Sequence, residues 1–416
     1  MSPSKVPGCC AILLLVPGIL IGGWVPLNSG TTEELHGVWF LPDGLTGYVV
    51  GQGRVQKTID GGASWDSLPL TGSVDAVTFP VNGDTGFATS SGGRVYRTID
   101  AGASWQLEST GVRIDLRGIC FPLDNLTGYV VGGETSGLIL KTTDAGQHWA
   151  SQTVNDTAPL EAVSFPENTL TGYTAGWSGV IHKTTNGGTT WQEQVSPPAM
   201  YLSDVVFPVN AETGFVVGYS GNVLKTTNGG TDWLQMTTGT SAYLNSASFP
   251  IDAETGYVAG DNGTILKTTN GGSTWRGESA GVSTFLNEIH FPANTQLGYV
   301  TGRGGEILKT TDGGTWIAEP GAEVAVGARP SRAWARPNPF LTRTLILYET
   351  GDGRPVPMEI CDVSGTVVGH FVLPGRAGQG ATWDGRDCLG RSLPSGIYLL
   401  KAASGNSVLL RVVKTS

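Results

Sequence analysis

The sequence predicts an all-β chain, a seven-bladed β-propeller followed by a small β-sandwich, and three observations carry that reading. Seven tryptophans, Trp65, Trp105, Trp149, Trp191, Trp233, Trp275 and Trp316, recur 40 to 44 residues apart. Each interval holds four strand-length runs of Val, Ile, Phe, Tyr and Thr, separated by Gly, Pro, Asn and Asp and without a sustained helical period. After Trp316 the period stops and alternating strands with Gly-rich turns take over. A fixed period with four strands per unit indicates radial repetition, which two packed sheets do not need.

The composition agrees. With 62 glycines and 14% charged residues in 416, the chain suits tight turns better than long solvent-facing helices. A formal net charge of -10 argues against nucleic acid as a partner, since that affinity rests on neutralised phosphates. From residue 329 onward 11 Lys/Arg stand against 6 Asp/Glu, so the acidity is concentrated before the C-terminal part.

Residues 1–23 read as a signal peptide. One lysine precedes an apolar run of about fifteen residues, shorter than a membrane span. Cleavage is expected near Gly23, leaving no transmembrane segment and placing the protein outside the cell or on its outer surface. Residues 24–320 form the propeller. Each unit starts with a stretch ending in Phe-Pro, such as "LSDVVFP". It continues with "TGFVVG", "GNVLKTT", a Gly-Gly turn and a run led by Trp. "WVPLNSGTTEEL", starting at Trp24, matches the pattern of "WLQMTTGTSAYL", starting at Trp233, and Trp24 lies 41 residues before Trp65. The N-terminal strand is therefore expected to close the ring on the seventh blade.

The repeated turn centres on Asp60, Asp100, Asp144, Asn186, Asn228, Asn270 and Asp312. Its side-chain oxygen is expected to accept backbone N–H groups two or three residues on, with glycine supplying positive φ and the Trp packed beneath. Three of the seven copies carry Asn, so the position needs a carbonyl oxygen and not a charge. That exchange and the sevenfold copying argue against a calcium ligand or a general acid. The preceding basic residues, Lys57, Arg97, Lys141, Lys183, Lys225, Lys267 and Lys309, are expected to pack their stems and solvate their heads. No zinc spacing such as CxxC or HExxH occurs, and no metal or cofactor is implied. Cys361 and Cys388 either pair or remain small unpaired residues.

Thr-x-Asp-x-Gly-x-Ser-Trp at residues 58–65 resembles the Asp-box of neuraminidase-type repeats, sortilin-like receptors and some glycoside hydrolases. The whole unit, "GY..G..G.I.KTT(D/N)GG..W", more specifically resembles the repeat of photosystem II assembly and stability factors, over roughly residues 24–320. These resemblances imply a propeller and two functional alternatives, a photosystem assembly chaperone or a sialidase- or xyloglucanase-like hydrolase. The hydrolase needs a carboxylate pair, or an arginine cluster with a Tyr nucleophile. No arginine triad is visible, and Asp261 and Glu134 stand three blades apart.

Residues 321–336 form an Ala/Pro/Arg-rich linker. Residues 337–416 resemble the C-terminal sorting domain of type IX secretion and the Ig-like module of flagellar hook-capping proteins. The matching residues are Pro337, Asn338, Pro339, Phe340, Asp362, Gly365, Trp383, Asp384, Gly385, Gly390, Gly396, Ile397 and Tyr398. The resemblance implies an address read by the type IX secretion machinery.

A ligand is expected on the face opposite the Asp-boxes, where the loops vary. The second-to-third loops carry Gln52, Glu134, Trp177, Tyr219, Asp261 and Arg303. The residue before the first inner-strand Leu is Pro159, Tyr201, Tyr243 and Phe285 in successive units. Trp177 and Tyr219 read as binding residues; Tyr201, Tyr243 and Phe285 either join them or pack between blades. Arg113, Asp115 and Arg117 read as a local surface ion-pair group. The leading function is a secreted or surface-displayed monomeric propeller that binds a protein or glycan without catalysis.

Overall fold

The computed structural model describes residues 23–70, 72–154, 158–197 and 201–314, and then separate segments, mostly strands, between residues 332 and 414. Trp316 and Cys388 lie outside the described residues, so the pairing of Cys388 with Cys361 does too. Among the described residues up to 314, the regular structure is β-strand apart from two short 3-10 turns, Tyr219–Gly221 and Asp261–Gly263.

Seven four-stranded antiparallel sheets follow one another around the ring. The first blade runs Leu35–Phe40, Gly47–Gly51, Arg54–Thr58 and Asp66–Ser67 from inner to outer edge. The fifth runs Leu202–Val206, Gly214–Gly218, Val223–Thr226 and Leu234–Met236. The seventh takes Leu286–His290, Gly298–Gly302 and Ile307–Thr310 from its own repeat and its outer strand, Val25–Leu27, from the far end of the chain. Val25 lies opposite Lys309 and Leu27 opposite Ile307. Trp24 is buried and meets Phe291 edge-on at 5.9 Å, as Trp65 meets Phe40 at 6.0 Å and Trp191 meets Phe165 at 6.0 Å. Trp24 thus does for the seventh blade what a box Trp does elsewhere.

The Asp-box is a local clasp, with one difference from the sequence reading. In the first copy Asp60 Oδ1 accepts from Thr58 Oγ1 at 2.7 Å and from Ser64 N at 2.9 Å, four residues on, while Ser64 Oγ donates to Asp60 Oδ2 at 2.6 Å. Thr58 Oγ1 in turn accepts from Gly62 N at 2.9 Å. Where Asn replaces Asp the partner switches role: Asn186 Nδ2 donates to Thr190 Oγ1 and Asn228 Nδ2 to Asp232 Oδ2, both at 2.9 Å. A carboxylate at residue 228 would face Asp232, which explains Asn at that copy; at residues 186 and 270 the partner is a Thr hydroxyl, which could serve either residue.

The basic residues before the boxes are not solvated as expected. Lys141 Nζ donates to Gly187 O at 2.7 Å, Lys225 to Gly271 O at 2.8 Å, and Lys309 to Gly61 O at 2.7 Å, each in the box of the next blade. Each ammonium also lies about 5.4 to 5.5 Å from the centre of a second-strand aromatic ring, Tyr129, Phe215 or Tyr299. The Tyr hydroxyls share the same acceptors, as Tyr173 OH does with Gly229 O at 3.1 Å. The box carbonyls are fixed in place and point back at the preceding blade, so a long cation there finds a desolvated acceptor instead of water. Arg97 departs from the set and faces Glu108 at 4.0 Å. The same rings stack on the Phe that ends the next inner strand, from Tyr48 on Phe79 at 3.9 Å round to Tyr299 on Phe40 at 3.5 Å, where Leu41 stands in place of the usual Pro.

Deeper along the axis, Asp204 Oδ2 accepts from Ala247 N at 2.9 Å and Glu288 Oε2 from Val38 N at 3.0 Å, each across a joint between blades. Burial, with the Asp204 charge adding to it, pushes the Glu288 carboxyl up to about 8.

In the C-terminal part, Arg332–Arg336, Thr344–Glu349 and Gly380–Trp383 pair into one sheet, and Val367–Leu373, Val356–Cys361, Gly396–Ala402 and Val408–Lys414 into another. Arg332–Arg336 falls in the stretch read as linker but pairs along its length with Thr344–Glu349. Trp383 and Tyr398 meet edge-on at 5.1 Å, and Tyr398 OH donates to Pro394 O at 2.8 Å.

Two stability measurements test this account. Trp24→Ala should cost about 3 kcal/mol in urea unfolding, the range for a buried aromatic; an unchanged midpoint would show that the ring does not depend on its N-terminal strand. Because the folded state holds the Glu288 proton more tightly than the unfolded chain, its contribution to stability falls as pH rises from about 4.5 to about 8. Glu288→Gln should flatten the melting temperature over that interval and raise it at pH 9.

Candidate functional site

The inner strand of every blade carries the same irregularity. Its register shifts between Leu35 and Gly37, and likewise between Val74 and Ala76, Leu116 and Gly118, Leu160 and Ala162, Leu202 and Asp204, Leu244 and Ser246, and Leu286 and Glu288. A bulge bends a strand and re-aims the extra side chain. The seven bulged residues are His36, Asp75, Arg117, Glu161, Ser203, Asn245 and Asn287, and all seven line one open bowl of about 670 Å³. The bowl lies where the inner strands begin, on the face away from the Asp-boxes.

Four of the seven candidate ligand-binding residues read from the sequence, Trp177, Tyr201, Tyr219 and Tyr243, share that bowl. A backbone pairing positions them: in five blades the first residue of the second-to-third loop donates its N–H to the residue before the inner strand. Trp177 N reaches Pro159 O at 2.9 Å, Tyr219 N reaches Tyr201 O at 2.9 Å, and Asp261 N reaches Tyr243 O at 2.8 Å. The approach is close enough that a Cβ on Gly218 would stand 2.0 Å from Tyr201 O, so glycine is required there. The residues that follow, Ser178, Ser220 and Asn262, hold φ near +60°, a strained state for residues with a side chain. Trp177, Tyr201, Tyr219 and Tyr243 form a continuous aromatic arc, with successive ring centres 5.1, 6.1 and 6.0 Å apart.

Asp261, Phe285 and Arg303 stand at the margin. Asn245 Nδ2 donates to Asp261 Oδ1 at 3.3 Å. Arg303 N reaches Phe285 O at 2.9 Å, its guanidinium lies 4.8 Å from the Phe285 ring centre, and Nε faces Glu34 Oε2 at 3.6 Å. Burial raises the Asp261 carboxyl above its ordinary value, and Asn245 and Arg303 offset part of that rise.

Arg117 is not part of a local surface group. Its guanidinium pairs with Glu161 Oε1 of the next blade at 2.6 Å and lies 5.4 Å from the Trp177 ring centre, while Trp177 Nε1 also donates to Glu161. Asp115 instead accepts from Gly92 N at 2.9 Å. On the two preceding blades, His36 Nδ1 meets Asp75 Oδ1 and Val74 O, both at 3.2 Å. Burial alone would lower the His36 pKa, but Asp75, Glu34 and the Val74 carbonyl together outweigh it and the net shift is upward.

Glu34 and the bulge ring, Arg117 apart, were missed in the sequence. The signal was present: the residue after the first inner-strand Leu or Val is polar in every unit and differs between most of them. Read as ordinary alternation it would be one more strand residue; only the bulge turns all seven toward the axis. Among the described residues no group of three or more His, Cys, Asp or Glu is placed to hold a metal ion, and no helix is long and apolar enough to cross a membrane.

Fold and site together define a seven-bladed propeller of Asp-box repeats with one concave, aromatic-walled mouth. The family described as "Photosynthesis system II assembly factor YCF48" matches residues 193–279, which take in the fifth and sixth blades and with them Tyr201, Tyr219, Tyr243 and Asp261. A solved structure of YCF48 from Cyanidioschyzon merolae superposes with a TM-score of 0.58 at 19% identity, covering 69% of this chain and 98% of that one. A structure of YCF48 bound to D1 peptide gives 0.57 at 19% identity, covering 70% and 94%. At that identity the likeness is one of fold. No curated protein matches the chain.

Proposed function

We propose that the propeller is a non-catalytic receptor for a polypeptide segment, which it takes across the bowl on the face opposite the Asp-boxes. The observation that carries this is the convergence of seven bulged inner-strand residues and the Trp177–Tyr243 aromatic arc on one mouth. Rigid aromatic side chains give large contact area at low entropic cost, and the polar ring beside them offers hydrogen bonds. A polypeptide is favoured over a glycan because a propeller of the same fold is solved with a bound peptide. In charge, the carboxylates of Glu34, Asp75, Glu161 and Asp261 outnumber the guanidinium groups of Arg117 and Arg303, which suits a segment bearing Lys or Arg. Photosystem assembly is the alternative consistent with the family match over residues 193–279.

On this reading the chain is exported, residues 1–23 serving as signal and the C-terminal part as an Ig-like sorting module for the type IX machinery. The apolar N-terminal run supports the first assignment and the paired C-terminal sheets with the Trp383–Tyr398 contact are compatible with the second.

Screening the chain against peptide and glycan arrays tests the proposal. Trp177→Ala and Tyr219→Ala should each weaken the selected peptide about tenfold or more, the cost of a buried aromatic anchor, and affinity should fall as salt rises. Binding indifferent to both substitutions would remove the bowl as the site. Turnover of a chromogenic glycoside that disappears in Asp261→Asn would replace the receptor with a hydrolase.

A further inference from the structure

The mouth of the bowl contains the same arrangement twice, and each time a guanidinium of this chain completes it. Arg117 lies 5.4 Å from the centre of the Trp177 ring and 2.6 Å from Glu161 Oε1 of the next blade. Arg303 lies 4.8 Å from the centre of the Phe285 ring and 3.6 Å from Glu34 Oε2, at the entry to the next blade. A flat, delocalised cation serves both neighbours at once, its face to the ring and its N–H edge to the carboxylate.

Between these two seats, on the fifth and sixth blades, stand Tyr201, Tyr219 and Tyr243, with successive ring centres 6.1 and 6.0 Å apart. Tyr219 is 47% exposed where it lines the bowl. Among the described residues no Lys or Arg lies over any of these three rings. The repeat positions that supply Arg117 and Arg303 elsewhere hold Ser203 and Tyr219 in the fifth blade, and Asn245 and Asp261 in the sixth. Neither blade therefore offers a cation from those positions.

The carboxylates are nevertheless there. Glu161, Asp261 and Arg117 all act electrostatically on Tyr243, and Arg117 is already bonded to Glu161. Asp261 is anchored beside Tyr243 by its own N–H, 2.8 Å from Tyr243 O. Its side chain accepts from Asn245 Nδ2 at 3.3 Å and feels Arg303 at longer range, while Arg303 Nε faces Glu34.

We infer that the Tyr219–Tyr243 sector is a third seat of the same kind, filled by an arginine of the bound segment, with its guanidinium on the tyrosine rings and its edge toward Asp261. This rests on the receptor reading above and narrows it, because the segment then carries Arg in preference to Lys. A lysine ammonium is a compact, strongly hydrated point charge, which makes the ion pair but loses the flat contact with the ring.

The full chain is titrated by calorimetry with hexa-arginine, hexa-lysine and hexa-citrulline amides at about 0.15 M salt. Hexa-arginine should bind roughly tenfold tighter than hexa-lysine, and hexa-citrulline, which keeps the flat shape without the charge, should not bind measurably. Tyr219→Leu removes the ring and no charge, so it should bring hexa-arginine down to the hexa-lysine affinity. Tyr219→Phe should keep the preference, and Asp261→Asn should weaken hexa-arginine about fivefold. Equal binding of the two cations to the unaltered chain, or a preference for arginine that survives Tyr219→Leu, overturns the seat. If array-selected peptides still lose affinity in Trp177→Ala, the receptor reading stands without it. A chain that binds no peptide of either set overturns both.

Discussion

The contact on which the rest depends is the one between an Asp-box carbonyl and the blade before it. A Lys ammonium and, in five of the seven blades, a Tyr hydroxyl meet at that carbonyl, as Lys183 and Tyr173 meet at Gly229 O. Beside it a ring from one blade stacks on the Phe of the next, which is itself met edge-on by its own box Trp. A charge-assisted hydrogen bond contributes on the order of 1.5–3 kcal/mol and an aromatic pair about 0.5–1.5 kcal/mol, so each joint is held by several modest terms. One interaction explains the whole repeated string. Thr and Asp/Asn fold the turn, the glycines let its carbonyl point backward, and Lys, Tyr, Phe and Trp are the parts that seize it.

The joints are not equal. Between the second and third blades Arg97 replaces Lys and Phe87 replaces Tyr, so the Phe87–Phe121 stack remains while both donors at the box carbonyl are lost. Between the seventh and first blades Lys309, Tyr299 and Glu288 all reach across. Polar reinforcement is thus heaviest beside the blade assembled from both ends of the chain, where a ring built by a linear polymer is most exposed to opening.

Securing one face leaves the other free to vary. With most blades pinned at the Asp-box, the loops at the opposite end carry less of the joint, though Gly221 N still donates to Ala242 O at 2.7 Å and Arg303 still faces Glu34 at 3.6 Å. They hold different residues in successive blades: Trp177, Tyr219, Asp261, Arg303. The bulge completes the arrangement by rotating a polar side chain from each inner strand into the mouth. Some of these bulged residues also brace the ring: Asn245 Nδ2 donates to Leu286 O at 2.7 Å and Asn287 Nδ2 to Leu35 O at 2.9 Å. The same residues therefore shape the bowl and hold its rim.

The sequence by itself determined the number of blades, the closure by Trp24 and the face on which the variable loops lie. Those are properties of period and phase, and a period of about 42 residues is recorded directly in the order of residues. It also brought out the aromatic arc, because the paired loops recur at fixed offsets within the repeat. What it did not determine is which individual side chains meet across a joint between blades. The Lys heads were read as solvated because their acceptors lie 44 to 46 residues further along the chain, or, for Lys309, at its start. Arg117 was read with Arg113 and Asp115 because they are close in sequence, whereas its partner Glu161 is 44 residues on. The bulge ring escaped for a related reason: one unpaired residue per strand leaves no mark in a hydrophobic pattern, and only strand pairing decides which way it points.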